Sequence, residues 1–191
     1  HYGSTPFDPA SADMLADVGV DFLKIASACI TDAGLLDQCA SYGLSMVVST
    51  GTANQDDVDR AVNIISEYGC ELALLQCTAV YPLTDPALLN LRVIETYRAR
   101  YPLIVTGLSS HYPGIWDAEA AYTLGGRVFE KHFTLDRAMR GADHALSLEP
   151  ALFGGLVLAL ARLRDALGSP RKTRLLEEHG AVVKMGHTLR A

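Results

Sequence analysis

A strand-like opening that runs into a dense set of ionisable side chains marks Arg127–Pro150, RVFEKHFTLDRAMRGADHALSLEP. It opens on apolar Val128 and Phe129, turns polar at Glu130, Lys131 and His132, and continues through Asp136, Arg137, Arg140, Asp143 and His144. A buried strand whose C-terminal end carries such groups is where parallel α/β proteins hold their chemistry. We read this stretch as the floor of a metal site. His132 has a counterpart in His111, at the end of GLSSH. Adjacent strands lie about 4.8 Å apart, so imidazoles at neighbouring strand ends can share one divalent ion. Such a pair leaves open positions for water and substrate, as catalysis requires. Two unrelated histidines bonded to backbone groups fit the same spacing.

Other strand ends add to this. Lys24 lies inside the apolar run FLKIAS. A lysine there is costly without an anion. It can hold a phosphate or carboxylate, form a Schiff base, or make a structural ion pair, with Glu130 as the candidate partner. Thr5, Ser27, Ser49 and Ser109 form a ring of small hydroxyls at strand ends, suited with the lysine to phosphate oxygens. Each alone is an ordinary turn former; their coincidence is the signal. Tyr81 follows the third apolar run, where its phenol can contact ligand or cover the strand end. Asp143 is placed to accept a sugar hydroxyl, whereas Ser147 and Glu149, before Pro150, read as caps of the last helix.

These residues need a scaffold that brings many strand ends together. Apolar runs recur at Val20–Ile25, Met46–Val48, Leu72–Leu75, Leu103–Val105 and Arg127–Phe129, roughly one βα unit apart. Helical patterns lie between them: from Asp8-Pro9, from Thr31-Asp32 to Gly43, Asn54–Tyr68, Pro86–Arg100, Trp116–Leu124 and Ala151–Leu167. Parallel strands with right-handed crossovers leave an open doubly wound sheet or a closed barrel. An open sheet concentrates chemistry at one switch point, while a barrel collects it from many strand ends. The fold class expected is therefore α/β, a (β/α)8 TIM barrel. Such a barrel takes about 250 residues, so this chain is expected to carry about the last five βα units. HYGSTPFD reads as the end of an earlier strand. We expect a partial barrel over 1–168 and a linker over 169–191. The start at His1 and the mixed tail VVKMGHTLRA read as cut ends.

Composition narrows the class further. The chain has 191 residues, 49% hydrophobic and 20% charged, with a net charge of −6. That balance fits a globular core and argues against nucleic-acid or membrane-surface partners. No apolar run is long enough to cross a bilayer. Cys29, Cys39, Cys70 and Cys77 show no CxxC pairing, which reads as reduced thiols and a cytoplasmic setting. Cys77 ends a strand, where a buried structural thiol is expected.

STPFD, FLKIAS, VVSTG, LLQCTAVYP, GLSSH and EKHFTLDRAMRGADHALSLEP together resemble the sialic acid synthase family, from Ser4 to about Leu167. That family comprises the N-acetylneuraminate synthases and the related legionaminate, pseudaminate and spore-coat polysaccharide synthases. The resemblance implies a barrel followed by a small antifreeze-like domain, in a homodimer. It implies condensation of phosphoenolpyruvate with an open-chain N-acetylated amino sugar, giving a nine-carbon 2-keto acid and phosphate. It implies a divalent cofactor, Mn2+ first, with Mg2+ or Co2+ as alternatives. Matched by position, His111 and His132 correspond to metal ligands and, with Lys24, to the catalytic set. Thr5, Lys24, Ser27, Ser49 and Ser109 correspond to phosphoenolpyruvate contacts, and Tyr81 and Asp143 to sugar contacts. Three positions depart from the family pattern. Ala79 stands for an asparagine, Cys29 for a glutamate, and Ser110 for the acid of GLSDH. Competing readings are a 3-deoxy-keto-acid synthase, with Arg137 and Arg140 as its basic cluster, and an inactive sugar- or metal-binding remnant.

Overall fold

A computed structural model of the chain describes residues 1–180. Six strands form one parallel sheet, β1 (Gly3–Ser4), β2 (Phe22–Ile25), β3 (Ser45–Ser49), β4 (Leu72–Cys77), β5 (Val105–Ser110) and β6 (Val128–Lys131). They lie in sequence order, each paired to the next. A doubly wound sheet reverses its order at a switch point; this one never does, so the barrel-type arrangement is the one adopted. The opening segment does contribute a strand, two residues long.

Local chemistry explains most of the helices. In α1 (Pro9–Val18) the Asp8 carboxylate accepts from the Ser11 amide at 2.8 Å, and Pro9 occupies the first turn. In α2 (Ala33–Ser41) Asp32 caps the Leu35 amide. Asn54 and Asp57 form a reciprocal capping box on α3 (Gln55–Glu67), which buries Val58, Ala61, Val62 and Ile65. The helices α4 (Val93–Arg100), α5 (Trp116–Thr123) and α6 (Pro150–Leu167) complete the outer layer. The largest core cluster lies between α1–α3 and strands β2–β4, around Leu23, Ile25, Leu36, Val48, Ile65 and Leu74.

Four sequence expectations fail locally. Of the run Leu103–Val105 only Val105 enters a strand: Leu103 is 98% exposed in a turn closed by the Ile104 amide on the Tyr101 carbonyl. The strand is β5, whose polar half is buried because it is paired on both sides. The helix expected over Pro86–Arg100 is split, because Asn90 takes a left-handed conformation (φ 46°) after a short 3-10 turn over Pro86–Leu89. Edge strand β6 is half-buried rather than buried. Glu149 holds the cap position of α6, but its carboxylate instead accepts from the Arg137 amide, and Ser147 donates to the Asp143 carbonyl. The linker expected over 169–191, with VVKMGHTLRA, runs into residues 181–191, outside the described residues.

One residue fixes how closely β5 and β6 approach. A Cβ on Gly107 would lie 1.8 Å from the Val128 carbonyl oxygen and 2.7 Å from Leu75 Cδ2. Gly107→Ala is therefore expected to destabilise the fold by at least about 1–3 kcal/mol, the usual cost of overpacking. Gly154→Ala, in an open stretch of α6 with no atom within 4 Å, should stabilise by about 0.5–1 kcal/mol. Urea-unfolding midpoints of the two variants check the pair of signs.

Candidate active site

The C-terminal strand ends converge on a cavity of about 240 Å³. Thr5, Lys24, Ser27, Ser49, Tyr81, Ser109, His111 and His132 all line it, together with Phe7, Cys77 and Glu130. Of the site residues read from sequence, only Asp143 is not in the lining; its Oδ2 stands 3.8 Å from His132 Nδ1, at the rim. Ser27 is not on a strand but in the 3-10 turn over Ser27–Cys29 after β2, where its hydroxyl accepts from the Gly51 amide at 2.9 Å. Cys77 is buried as expected and also faces the cavity.

His111 and His132 directly follow β5 and β6, which pair Ser109 with Glu130 and Ser110 with Lys131. Their ring centroids are 5.3 Å apart. His111 Nδ1 lies 3.1 Å from the Thr78 carbonyl. A carbonyl can only accept, so Nδ1 carries the proton and the Nε2 lone pair is free. Burial lowers the His111 pKa against the opposing Thr78 hydrogen bond, which favours the neutral ring, the form a metal requires. Tyr81 stacks on His111 with centroids 3.9 Å apart, and burial raises its phenol pKa. The donor set thus fits a divalent ion held by two imidazoles. Among the described residues no group of three or more His, Cys, Asp and Glu is placed to hold a metal, so an ion held by this pair would take its remaining ligands from water or substrate.

Lys24 makes the expected ion pair and also borders the cavity. Lys24 Nζ is 3.4 Å from Glu130 Oε2 and donates to the Ile25 carbonyl at 2.8 Å, while facing the cavity. Burial lowers its pKa and the Glu130 carboxylate opposes that shift. Ser49 donates to the same Glu130 oxygen at 3.0 Å. Glu130 is thus the Lys24 partner that the sequence suggested, and it also lines the cavity, a place not assigned to it from sequence. The signal was present: in EKH, Glu130 and His132 are two apart, and alternate strand residues share a face.

The three departures from the family pattern are also placed. Cys29 belongs to the apolar core and Ala79 lines a neighbouring polar pocket, both off the cavity lining. Ser110 touches the cavity but hydrogen-bonds Asp117 of α5 behind it.

Comparison with known proteins agrees with this architecture. The chain is 35% identical over 188 residues to human N-acetylneuraminate-9-phosphate synthase, covering 98% of the chain and 52% of that protein. It is 37% identical over 168 residues to N,N'-diacetyllegionaminic acid synthase of Campylobacter jejuni, covering 86% and 50%. The crystal structure of an N-acetylneuraminic acid synthetase from Leptospira borgpetersenii, in complex with citrate, superposes with a TM-score of 0.88 at 33% identity, covering 98% and 65%. The chain spans about half the length of the curated relatives it matches. The NeuB family profile matches residues 1–172. With that match across the whole sheet and its cavity, the chain belongs to the NeuB family.

Proposed function

We propose that the protein containing this chain condenses phosphoenolpyruvate with an N-acetylated amino sugar of the N-acetylmannosamine type. Carbon 3 of phosphoenolpyruvate bonds to the sugar aldehyde carbon, water adds at carbon 2, and phosphate leaves, giving a nine-carbon 2-keto acid. The observation that carries this reading is the convergence of Lys24, four hydroxyls and two imidazoles on one cavity in a NeuB-family chain. Lys24 holds the phosphate or carboxylate, and Thr5, Ser27, Ser49 and Ser109 orient its oxygens. A divalent ion held by His111 and His132 (Mn2+ first, then Mg2+ or Co2+) would polarise the sugar aldehyde and stabilise the developing alkoxide. Tyr81 walls the sugar side beside His111, and Asp143 is placed to accept a sugar hydroxyl at the rim.

The same reading extends to the whole protein. Residues 1–168 act as part of a (β/α)8 barrel, 169–191 lead towards an antifreeze-like domain, and the assembly is a cytoplasmic homodimer. A 3-deoxy-keto-acid synthase would need a basic cluster for a second phosphate. Arg137, one of its two candidates, already donates its guanidinium to the Ala145 carbonyl, which favours the amino-sugar reading.

Three measurements test it in the intact protein. Phosphate release from phosphoenolpyruvate across a panel of N-acetylated amino sugars, with and without a 6-phosphate, should show turnover with at least one member. No turnover with any of them overturns the reaction. His111→Ala should lose Mn2+ binding and lower kcat on the order of a hundredfold or more, and full activity there contradicts the metal role. Lys24→Met should raise the KM for phosphoenolpyruvate by about ten- to a hundredfold, the worth of a charge-assisted hydrogen bond. Its Mn2+ affinity should be unchanged.

A further inference from the structure

Between strands β5 and β6 and helix α5 is a buried ionic cluster, two of whose members, Ser110 and Lys131, also border the cavity. Lys131 Nζ sits 2.7 Å and 3.0 Å from the two oxygens of Asp117. The side chains are 3% and 0% exposed. The ammonium also donates to Ser110 Oγ at 3.2 Å and to the Tyr112 carbonyl at 3.1 Å. Ser110 in turn donates to Asp117 and accepts from the Tyr112 amide at 3.1 Å. Asp117 lies in the first turn of α5, where a carboxylate also meets the positive end of the helix dipole.

The connectivity is specific. Ser110 and Tyr112 flank His111 in sequence, and Lys131 immediately precedes His132. One ammonium and one carboxylate therefore tie both residues around the first imidazole to the residue before the second. A buried ion pair of this kind is poor evidence for stability, because desolvation offsets most of its attraction. Its directional hydrogen bonds do fix geometry, here the relative setting of two strand ends and a helix.

We infer that Lys131 and Asp117 are positioning residues, a buried clamp that sets the His111–His132 spacing for a shared divalent ion. Ser110 is the clamp's third member. Its hydroxyl is within hydrogen-bond reach of Lys131, so a carboxylate at position 110 would reach the same ammonium. In this chain the carboxylate that balances Lys131 comes from α5.

This inference rests on the metal reading above, and the experiment separates the two. Mn2+ affinity is measured on the intact protein by the paramagnetic resonance signal of free Mn2+, beside the melting temperature of the metal-free form. The pair Lys131→Met with Asp117→Leu removes both charges while keeping volume, a change that buried ion pairs often tolerate. It should melt close to the unaltered protein yet bind Mn2+ about 10–100-fold more weakly, as when groups that orient a ligand are lost. Saturating Mn2+ should restore most of its kcat, a recovery that general unfolding would not allow. Asp117→Asn alone should weaken binding, and adding Ser110→Asp to it should bring affinity back to within about threefold of the unaltered protein. Equal Mn2+ affinity in the double-neutral variant and the unaltered protein overturns the clamp. If the double-neutral variant fails to fold, Asp117→Asn with and without Ser110→Asp decides, and no recovery on adding Ser110→Asp overturns the clamp. No Mn2+ binding by the unaltered protein overturns the metal reading and the clamp together.

Discussion

Strands β5 and β6 run parallel in one register, and Gly107 lets their backbones approach where any side chain would strike the Val128 carbonyl. Side chains along a strand alternate between faces. In this register the alternation sorts two jobs. Ser109, His111, Glu130 and His132 face the cavity, while the Ser110 and Lys131 side chains meet Asp117 against the helix layer. A slip of one residue would turn both imidazoles outward and push a lysine into the mouth. The imidazole half of the candidate site therefore depends on one pairing of two short strands.

The two buried lysines show how burial and access separate function from support. The Lys131 and Asp117 side chains are almost wholly buried, and that ammonium is already held by a carboxylate at 2.7 Å, although Lys131 also borders the cavity. Lys24 is equally enclosed along its stem, but Glu130 is 43% exposed at the open mouth. An incoming anion can approach Lys24 from the cavity and share or displace that carboxylate. Screening by water makes such a half-exposed pair weak and exchangeable. On the proposed reading, Glu130 would be the anion that partners the desolvated Lys24 until a phosphate or carboxylate takes its place.

Much of this was legible in the sequence because it is local or periodic. Asp8, Asp32 and Asn54 cap helices through groups three residues away, and the βα spacing pointed to the parallel sheet. Strand ends pointed to His111, His132, Lys24 and the hydroxyls. What was hidden depends on pairing across the chain. Thr106–Ser110 looks too polar for a buried strand until both flanks are paired. Asn90 interrupts a helical pattern by a conformation that its composition does not announce. Glu149 and Ser147 look like caps, yet they are recruited by the Arg137 and Asp143 backbone in a loop whose course no local rule predicts. Asp117 reads as an ordinary acid in a first helical turn, and only the sheet behind it reveals a buried counter-ion.

The departures from the family pattern differ in what surrounds them. Cys29 sits in the apolar core, at a place where a carboxylate would need a buried partner of its own. Ala79 faces a neighbouring pocket of neutral polar residues. Ser110 has its missing charge made up by Asp117 one layer out. None of the three alters Lys24, the hydroxyl ring or the imidazole pair. On the proposed reading, the half of the cavity that grips phosphoenolpyruvate and the ion is kept intact. Cys29 and Ala79 lie off the cavity lining, and Ser110 borders it while hydrogen-bonded to Asp117. The charged and hydroxyl groups that face the cavity, and the strand register that presents them, are therefore disturbed by none of the three, because each change is absorbed by what surrounds it.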